Sequence, residues 1–303
     1  MYGAIIGDIA GSKYEFHNIK TKDFPFISAG CRFTDDTVMT VAVAKALLRS
    51  RKEGNPFKPL LVREMQHLGR RYPHAGYGRA FYGWLRSHDP RPYGSYGNGS
   101  AMRVSPCGLI AVTLEEALQL ARASAEVTHD HPEGIKGAEA TAAAIFMACT
   151  GHTKEEIGAY LRENYYDLTQ TLDEIRPDYR FSSSCQGSVP QALEAFLESE
   201  SYEDTVRSAV SIGGDSDTIA AIAGSIAWSY YRMGRGRADS DAETNKKAGR
   251  FWPESCEKMV TDHGIDALLP REFVDVIEEL DVARMERFDA IDRMGCCRGI
   301  PLE

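Results

Sequence analysis

The chain has 303 residues, 43% hydrophobic and 26% charged, with a net charge of -9. That length supports a substantial buried core, and that charge argues against a protein that holds nucleic acid by its phosphates, which needs a basic surface. Seven cysteines at positions 31, 107, 149, 185, 256, 296 and 297 form no CxxC pair, which speaks for free thiols in a reducing compartment rather than a disulfide framework or a thiolate zinc site.

In chain order, almost every periodic segment predicts helix. Residues 1–11 are apolar with interspersed Gly and Ala, the pattern of a buried, closely packed helix. Asp8 interrupts the run and no basic leader precedes it, so it does not read as a signal peptide. Residues 12–32 form a loop. Residues 35–51 carry Val38, Val41, Ala42 and Leu48 on one face and end in basic residues, which suits a helix C-terminus. Asn55-Pro56 opens a helix to residue 72. The stretch 73–100, rich in Gly, Tyr and Pro, is too long for a passive connector and is a candidate binding loop.

Helices are predicted over 101–111 and 114–127, the second opened by a Thr113/Glu116 capping box. An Ala-rich buried helix follows over 133–149, and another runs to residue 164 behind a Thr153/Glu156 box. Residues 182–190 read as a loop of small side chains. Helices follow over 191–197, 202–212 and 217–233, then a polar, mobile stretch over 234–250, then helices over 253–263 and 273–291. The longest apolar runs, 137–149 and 219–231, are too short to cross a bilayer. With no run of period-two strands and no internal repeat, the sequence predicts an all-α fold in one domain over 1–303, cytoplasmic and monomeric.

Two acidic stretches stand out, Phe33-Thr34-Asp35-Asp36-Thr37 and Gly213-Gly214-Asp215-Ser216-Asp217-Thr218, each opening a helix of small apolar residues. Alone, each reads as an ordinary N-cap with acids in the first turn. Together they supply four carboxylates, enough to balance two divalent ions, with the hydroxyls of Thr34 and Thr218 as further ligands. An all-oxygen set favours Mg²⁺ or Mn²⁺, with Ca²⁺ also compatible, over zinc. In Gly94-Ser95-Tyr96-Gly97-Asn98-Gly99-Ser100, the glycines let backbone N–H groups approach a phosphate and Tyr96 can stack on a base; the plain alternative is a flexible loop. Thr128-His129-Asp130-His131 reads either as a helix C-terminus favoured by the dipole or as the His-Asp pair of an HD-type phosphohydrolase, which also needs a separate His, for which His67 and His74 are available, and a distant Asp. Glu15, between Tyr14 and Phe16, is either a desolvated acid suited to proton transfer or a solvated loop residue.

Taken in order, Gly7-Asp8-Ile9-Ala10-Gly11 with Glu15, Phe33 to Thr37, Gly94 to Val104, Thr128-His129, Cys185-Gln186-Gly187-Ser188-Val189-Pro190 and Gly213 to Thr218 resemble the ADP-ribosylglycohydrolase family. The loop and Tyr14-Glu15 look closest to the branch that includes ADP-ribosylhydrolase 3, which removes serine-linked ADP-ribose. The resemblance implies a compact orthogonal helical bundle with a central two-metal site. By position, Thr34, Asp35, Asp36 and Asp217 would hold one ion and Asp215, Asp217 and Thr218 the other, with Asp217 bridging. The ions would sit beside the distal ribose, and Gly94, Ser95, Tyr96, Gly97, Asn98 and Gly99 with His129 would hold the diphosphate and adenosine. Pro90 stands where that branch has an aromatic residue beside adenine, which leaves stacking to Tyr96, alone or with Tyr93.

The implied reaction is metal-dependent hydrolysis of the bond between the distal ribose and an acceptor side chain such as serine or arginine, through an oxocarbenium-like transition state. Glu15 is the first candidate for proton transfer and Asp36 the second. Two other readings stay open: a hydrolase of a small ADP-ribose derivative such as an ester, and a non-catalytic ADP-ribose-binding or structural member.

Overall fold

The structure, a computed structural model, describes residues 1–233 and 265–293. Within them the chain forms α1 Tyr2–Ser12, α2 Asp35–Glu53, α3 Phe57–Arg71, α4 Arg79–Arg86, α5 Gly99–Met102, α6 Ser105–Ile110, α7 Leu114–Glu126, α8 Pro132–Cys149, α9 Lys154–Asn164, α10 Leu172–Ile175, α11 Cys185–Glu198, α12 Tyr202–Ser211 and α13 Ser216–Trp228. A π-helical turn, Ser229–Met233, extends α13, and two further helices follow, Ile265–Leu268 and Arg271–Arg293. Among the described residues there is no sheet, only one antiparallel bridge between Gly97 and Ser184. The fold is all-α, as the periodicity predicts. No helix among the described residues is long and apolar enough to cross a membrane. The stretches 234–250 and 253–263 lie outside the described residues.

Besides two short helices not expected, Leu172–Ile175 and Ile265–Leu268, three segments differ from the sequence expectation. The long loop 73–100 contains α4, which buries Phe81, Trp84 and Leu85 on one face; local Gly and Tyr content masks that stripe. The helix expected over 101–111 is two pieces, α5 and α6, because Pro106 in the first turn of α6 has no N–H and its ring excludes a continuous helix through that point. Residues 182–190 are not all loop. Ser184 caps α11 by accepting from Gly187 N, and Pro190 lies inside the helix, where the carbonyl it leaves without its i+4 donor belongs to exposed Gln186.

Capping follows the sequence closely. Thr153 and Glu156 form a reciprocal box, and so do Thr171 and Glu174 at α10. At α7, Thr113 accepts from Glu116 N, but the Glu116 carboxylate accepts from Val112 N, at 2.8 Å, and pairs with Arg51 and Arg287.

The feature that places the site is the packing of α1 on α13. Gly3, Gly7 and Gly11 recur every fourth residue and so share one face of α1. A Cβ at Gly3 would lie 2.3 Å from Trp228 Cβ, at Gly7 2.1 Å from the Ala220 carbonyl oxygen, and at Gly11 2.5 Å from Asp217 Cα. The two backbones therefore touch, and the order of contacts shows that the helices run antiparallel. The end of α1 thereby meets the beginning of α13, and both helices are buried along their length.

Candidate active site

Antiparallel packing of α1 and α13 brings four acids together: Asp8 on α1, Glu15 just beyond its end, Asp215 at the N-cap of α13 and Asp217 in its first turn. Asp8 recruits a third helix. Its carboxylate accepts from Thr34 N at 2.9 Å, Thr34 Oγ1 at 2.7 Å, Thr37 N at 3.1 Å and Thr37 Oγ1 at 2.5 Å. It thus serves the free N–H groups at the start of α2 as a capping side chain would. That bond set fixes the first turn of α2, and with it Asp36, against α1 and α13.

Asp36 is short of donors. Its Oδ2 lies 3.4 Å from Thr34 Oγ1 and 3.3 Å from Thr218 Oγ1, and its buried Oδ1 has no hydrogen-bond partner. The single Thr34 hydroxyl proton is better placed on Asp8. Oxygen atoms of Asp8, Asp36 and Asp217 lie within 4.8 Å of one another, and so do those of Glu15, Asp215 and Asp217. Two oxygen clusters sharing Asp217, one with an unsatisfied buried carboxylate oxygen, fit hard divalent cations.

The electrostatics agree. Burial, then the charges of Asp215 and Asp8, push the Glu15 carboxyl up to about 7. Burial raises Asp8 to about 6 against the opposing bonds from Thr34 and Thr37. Burial and the neighbouring Asp8 and Asp215 raise Asp35 to about 8. Asp36 and Asp217 are raised well above the ordinary carboxylate range by burial and by the other acids. The protein alone disfavours this much negative charge, and bound cations would reverse that preference.

The turn into α13 uses two glycines in the left-handed region, Gly213 at φ 72° and Gly214 at φ 75°, which other residues rarely adopt. Asn18 clamps this turn by accepting from Gly214 N at 2.8 Å and donating to Gly214 O at 2.9 Å. Lys20 donates to Ile212 O at 2.6 Å. The loop that carries Glu15 is therefore fastened to the segment that carries Asp215.

The glycine-rich loop meets the acids through Asn98, whose Nδ2 donates to Asp215 Oδ2 at 2.7 Å and to Ser188 Oγ on α11 at 3.0 Å. Gly94 N donates to Asp130 Oδ1 at 2.7 Å, and Ser100 Oγ donates to Gly134 O at 2.6 Å. The loop is thus held at both ends by residues around the start of α8. One cavity of about 330 Å³ is lined both by the acids Glu15, Asp36 and Asp217 and by Ser95, Gly97 and Asn98 with His129. Carboxylates, hydroxyl and amide groups set among apolar side chains such as Phe81, Tyr93 and Phe181 suit a ligand with both polar and aromatic parts.

The first 234 residues match the family model for ADP-ribosylglycohydrolase. The chain belongs to this family of glycohydrolases. It is 28% identical to ADP-ribosylhydrolase ARH3 of Bos taurus, covering 84% of this chain and 87% of the relative. It is 26% identical to ADP-ribosylarginine hydrolase Tri1 of Pseudomonas putida, covering 76% of this chain and 69% of the relative. Among solved structures, a chain of an ADP-ribosylglycohydrolase-related protein complex superposes with a TM-score of 0.59 at 26% identity, covering 76% of this chain and 85% of that one.

In this ADP-ribosylglycohydrolase, the cavity brings together Glu15, Asp35, Asp36, Asp215, Asp217, Thr218, Ser95, Gly97, Asn98, Gly99 and His129. Asp35 is outside both oxygen clusters, its Oδ1 beside Gly76. Thr34 spends its hydroxyl on Asp8. Gly94 is exposed, and Tyr96 is 53% exposed with its ring edge-on to His131. His67 and His74 are exposed and away from the cavity lining, which removes the HD-type arrangement. Sequence reasoning missed two residues. Asp8 shares an oxygen cluster, and its signal was a carboxylate inside an apolar helix, which is rarely buried without partners. Phe181 lines the cavity and is 50% exposed, and no local pattern marks it.

Proposed function

We propose that this protein hydrolyses the glycosidic bond between the distal ribose of ADP-ribose and an acceptor side chain, serine or arginine, and that it needs two divalent cations, Mg²⁺ or Mn²⁺. The observation that carries this reading is the hydrogen bond from Asn98 to Asp215, which joins the phosphate-type loop to the acidic clusters within one cavity. A diphosphate along the loop would put the distal ribose over the acids. The curated relatives named as ADP-ribosylhydrolases support the same substrate class.

Asp8, Asp36 and Asp217 would hold one cation and Glu15, Asp215 and Asp217 the other, with Thr218 and Asp35 on the periphery. When bound, the cations supply Lewis-acid stabilisation of oxygen atoms. Asn98 orients Asp215, and the Thr218 hydroxyl orients Asp36. Glu15 lines the cavity beside Asp217 and is the first candidate to move a proton between water and the leaving group; Asp36 is the next candidate. Ser95 with His129 would hold the diphosphate where Gly97 and Gly99 let it approach, Asn98 being committed to Asp215 and Ser188, and Tyr96 with Tyr93 would flank the adenine.

The test is a panel of serine-linked and arginine-linked ADP-ribosyl peptides and an ADP-ribose ester, assayed with Mg²⁺, with Mn²⁺ and with chelator. Release of ADP-ribose from one peptide class, abolished by chelator, is expected. Full turnover in chelator would refute the cation requirement, and release from the ester alone would refute the protein-linked substrate.

A further inference from the structure

His129 lies at the end of α7 and is buried, yet it borders the cavity. Its Nδ1 is 2.7 Å from Thr128 Oγ1. On the other side of that hydroxyl, Arg103 Nη2 donates to Thr128 Oγ1 at 2.8 Å and to Ser124 O at 2.9 Å. A guanidinium has no acceptor, so Thr128 must accept from Arg103. If His129 carried its proton on Nδ1, Thr128 would accept twice and its own hydroxyl hydrogen would be sealed without an acceptor. With Thr128 donating its hydroxyl hydrogen to a bare Nδ1, both the hydroxyl and that ring nitrogen are satisfied. That arrangement leaves the ring proton on Nε2, on the edge that faces the glycine loop: a Cβ at Gly99 would lie 3.2 Å from Nε2, and at Gly97 3.4 Å.

We infer that Arg103 and Thr128 are positioning residues, forming a buried relay that fixes His129 as the Nε2–H tautomer, a neutral donor aimed at an anionic oxygen of the ligand beside Gly97 and Gly99. The inference rests on the diphosphate reading of the loop. The surroundings keep the ring neutral: it is desolvated, and the nearest charge acting on it, Arg103, is positive. Tyr93, with its ring centroid 6.1 Å away, is the aromatic neighbour, and Asp130 is exposed and bound to Gly94 N. A neutral donor cannot be lost by deprotonation in the working range, as an imidazolium would be.

The relay is tested on the full chain labelled with ¹⁵N-histidine. Long-range ¹H–¹⁵N spectra should show one ring, absent in His129→Gln, with a bare Nδ1 and a protonated Nε2. Thr128→Val should lose that single-tautomer signature and bind ADP-ribose about tenfold more weakly by calorimetry with Mg²⁺, the effect of losing one hydrogen bond to a charged group. Thr128→Ser should restore both. A wild-type ring protonated on Nδ1, or a Thr128→Val protein with unchanged tautomer and affinity, would overturn the relay. A correct tautomer in a wild-type protein that does not bind ADP-ribose would instead overturn the diphosphate reading and leave the relay standing.

Discussion

Replacing Gly7 by alanine adds one methyl group where α1 touches α13. The new Cβ would sit 2.1 Å from the Ala220 carbonyl oxygen, 2.5 Å from its carbonyl carbon and 2.9 Å from Ala221 N. All three are backbone atoms inside a helix, so no rotamer change relieves the clash. The helices must part by more than about 1 Å to reach ordinary contact distance. Overpacking of this kind costs about 3 kcal/mol, the upper part of the usual range, because the obstacle is backbone. In a domain of about 300 residues, with an unfolding entropy of about 2.1 cal/mol/K per residue, that lowers Tm by roughly 5 °C. The displacement falls one residue from Asp8 and on the helix that carries Asp217, whose oxygens share a cluster. A misplacement of about 1 Å lowers turnover about a hundredfold. The assay is thermal unfolding with Mn²⁺ titration and ADP-ribosyl peptide turnover. Gly83→Ala is the control: Gly83 lies within α4 with nothing within 4 Å of its would-be Cβ, so the change should be neutral or stabilising by up to about 1 kcal/mol. If Gly7→Ala melts and binds Mn²⁺ as the wild type does, α1 and α13 do not meet through their backbones.

Four further outcomes are expected. Asp8→Asn retains an oxygen acceptor for Thr34 N and Thr37 N but removes a charge, so it should fold with a Tm within a few degrees and lose cation affinity about tenfold or more; unchanged affinity would confine Asp8 to a capping role. Asp217→Ala should abolish both Mn²⁺ binding and ADP-ribose release, and retention of either would exclude a shared ligand. Asp8, Glu15 and Asp35 are raised to about 6, 7 and 8, so the metal-free protein prefers them protonated: their contribution is fully present below about pH 4 and is lost as pH rises through 6–8. The gain in Tm on adding Mn²⁺ should therefore grow from pH 5.5 to 8, and scanning fluorimetry showing the opposite trend would refute the charge argument. Tyr96→Ala should weaken ADP-ribose binding by about 1–3 kcal/mol, the worth of one base–aromatic stack, without changing Mn²⁺ affinity; a change in the second alone would move Tyr96 out of the adenine site.

Much of this was legible because the chemistry is written locally. Asp215 and Asp217 open a helix of small apolar residues, as do Asp35 and Asp36, and caps are short-range signals. The glycine loop was likewise readable as a backbone that can approach an anion. The residues that escaped act at long range. Asp8 stands in the sequence as a break in an apolar run and as part of a family motif, but not as a ligand, because its partners Thr34 and Thr37 lie 26 and 29 residues on. Phe181 reaches the cavity because Ser183 O accepts from Asn98 N at 2.8 Å, a contact between segments far apart in sequence. The α4 stripe of Phe81, Trp84 and Leu85 was hidden by composition, and the break between α5 and α6 depends on the single residue Pro106.

The packing and the chemistry impose one requirement between them. Glycines at every fourth position of α1 draw two backbones together, and the reward in buried surface comes with carboxylates trapped where the helices meet. Asp8 and Asp217 are both buried, with Asp36 beside them. The N-termini of α2 and α13 offset about one unit of negative charge between them, far less than Asp8, Glu15, Asp35, Asp36, Asp215 and Asp217 carry when ionised. Protonation can neutralise the excess, which is what the raised pKa values express, but a protonated cluster gives up its affinity for cations. Two divalent ions neutralise about four units and leave the acids ionised. The close approach that stabilises α1 on α13 therefore also gathers the acids that would hold cations, and backbone-parting substitutions such as Gly7→Ala should lower folding stability and cation affinity together, whereas Asp8→Asn should lower the affinity alone.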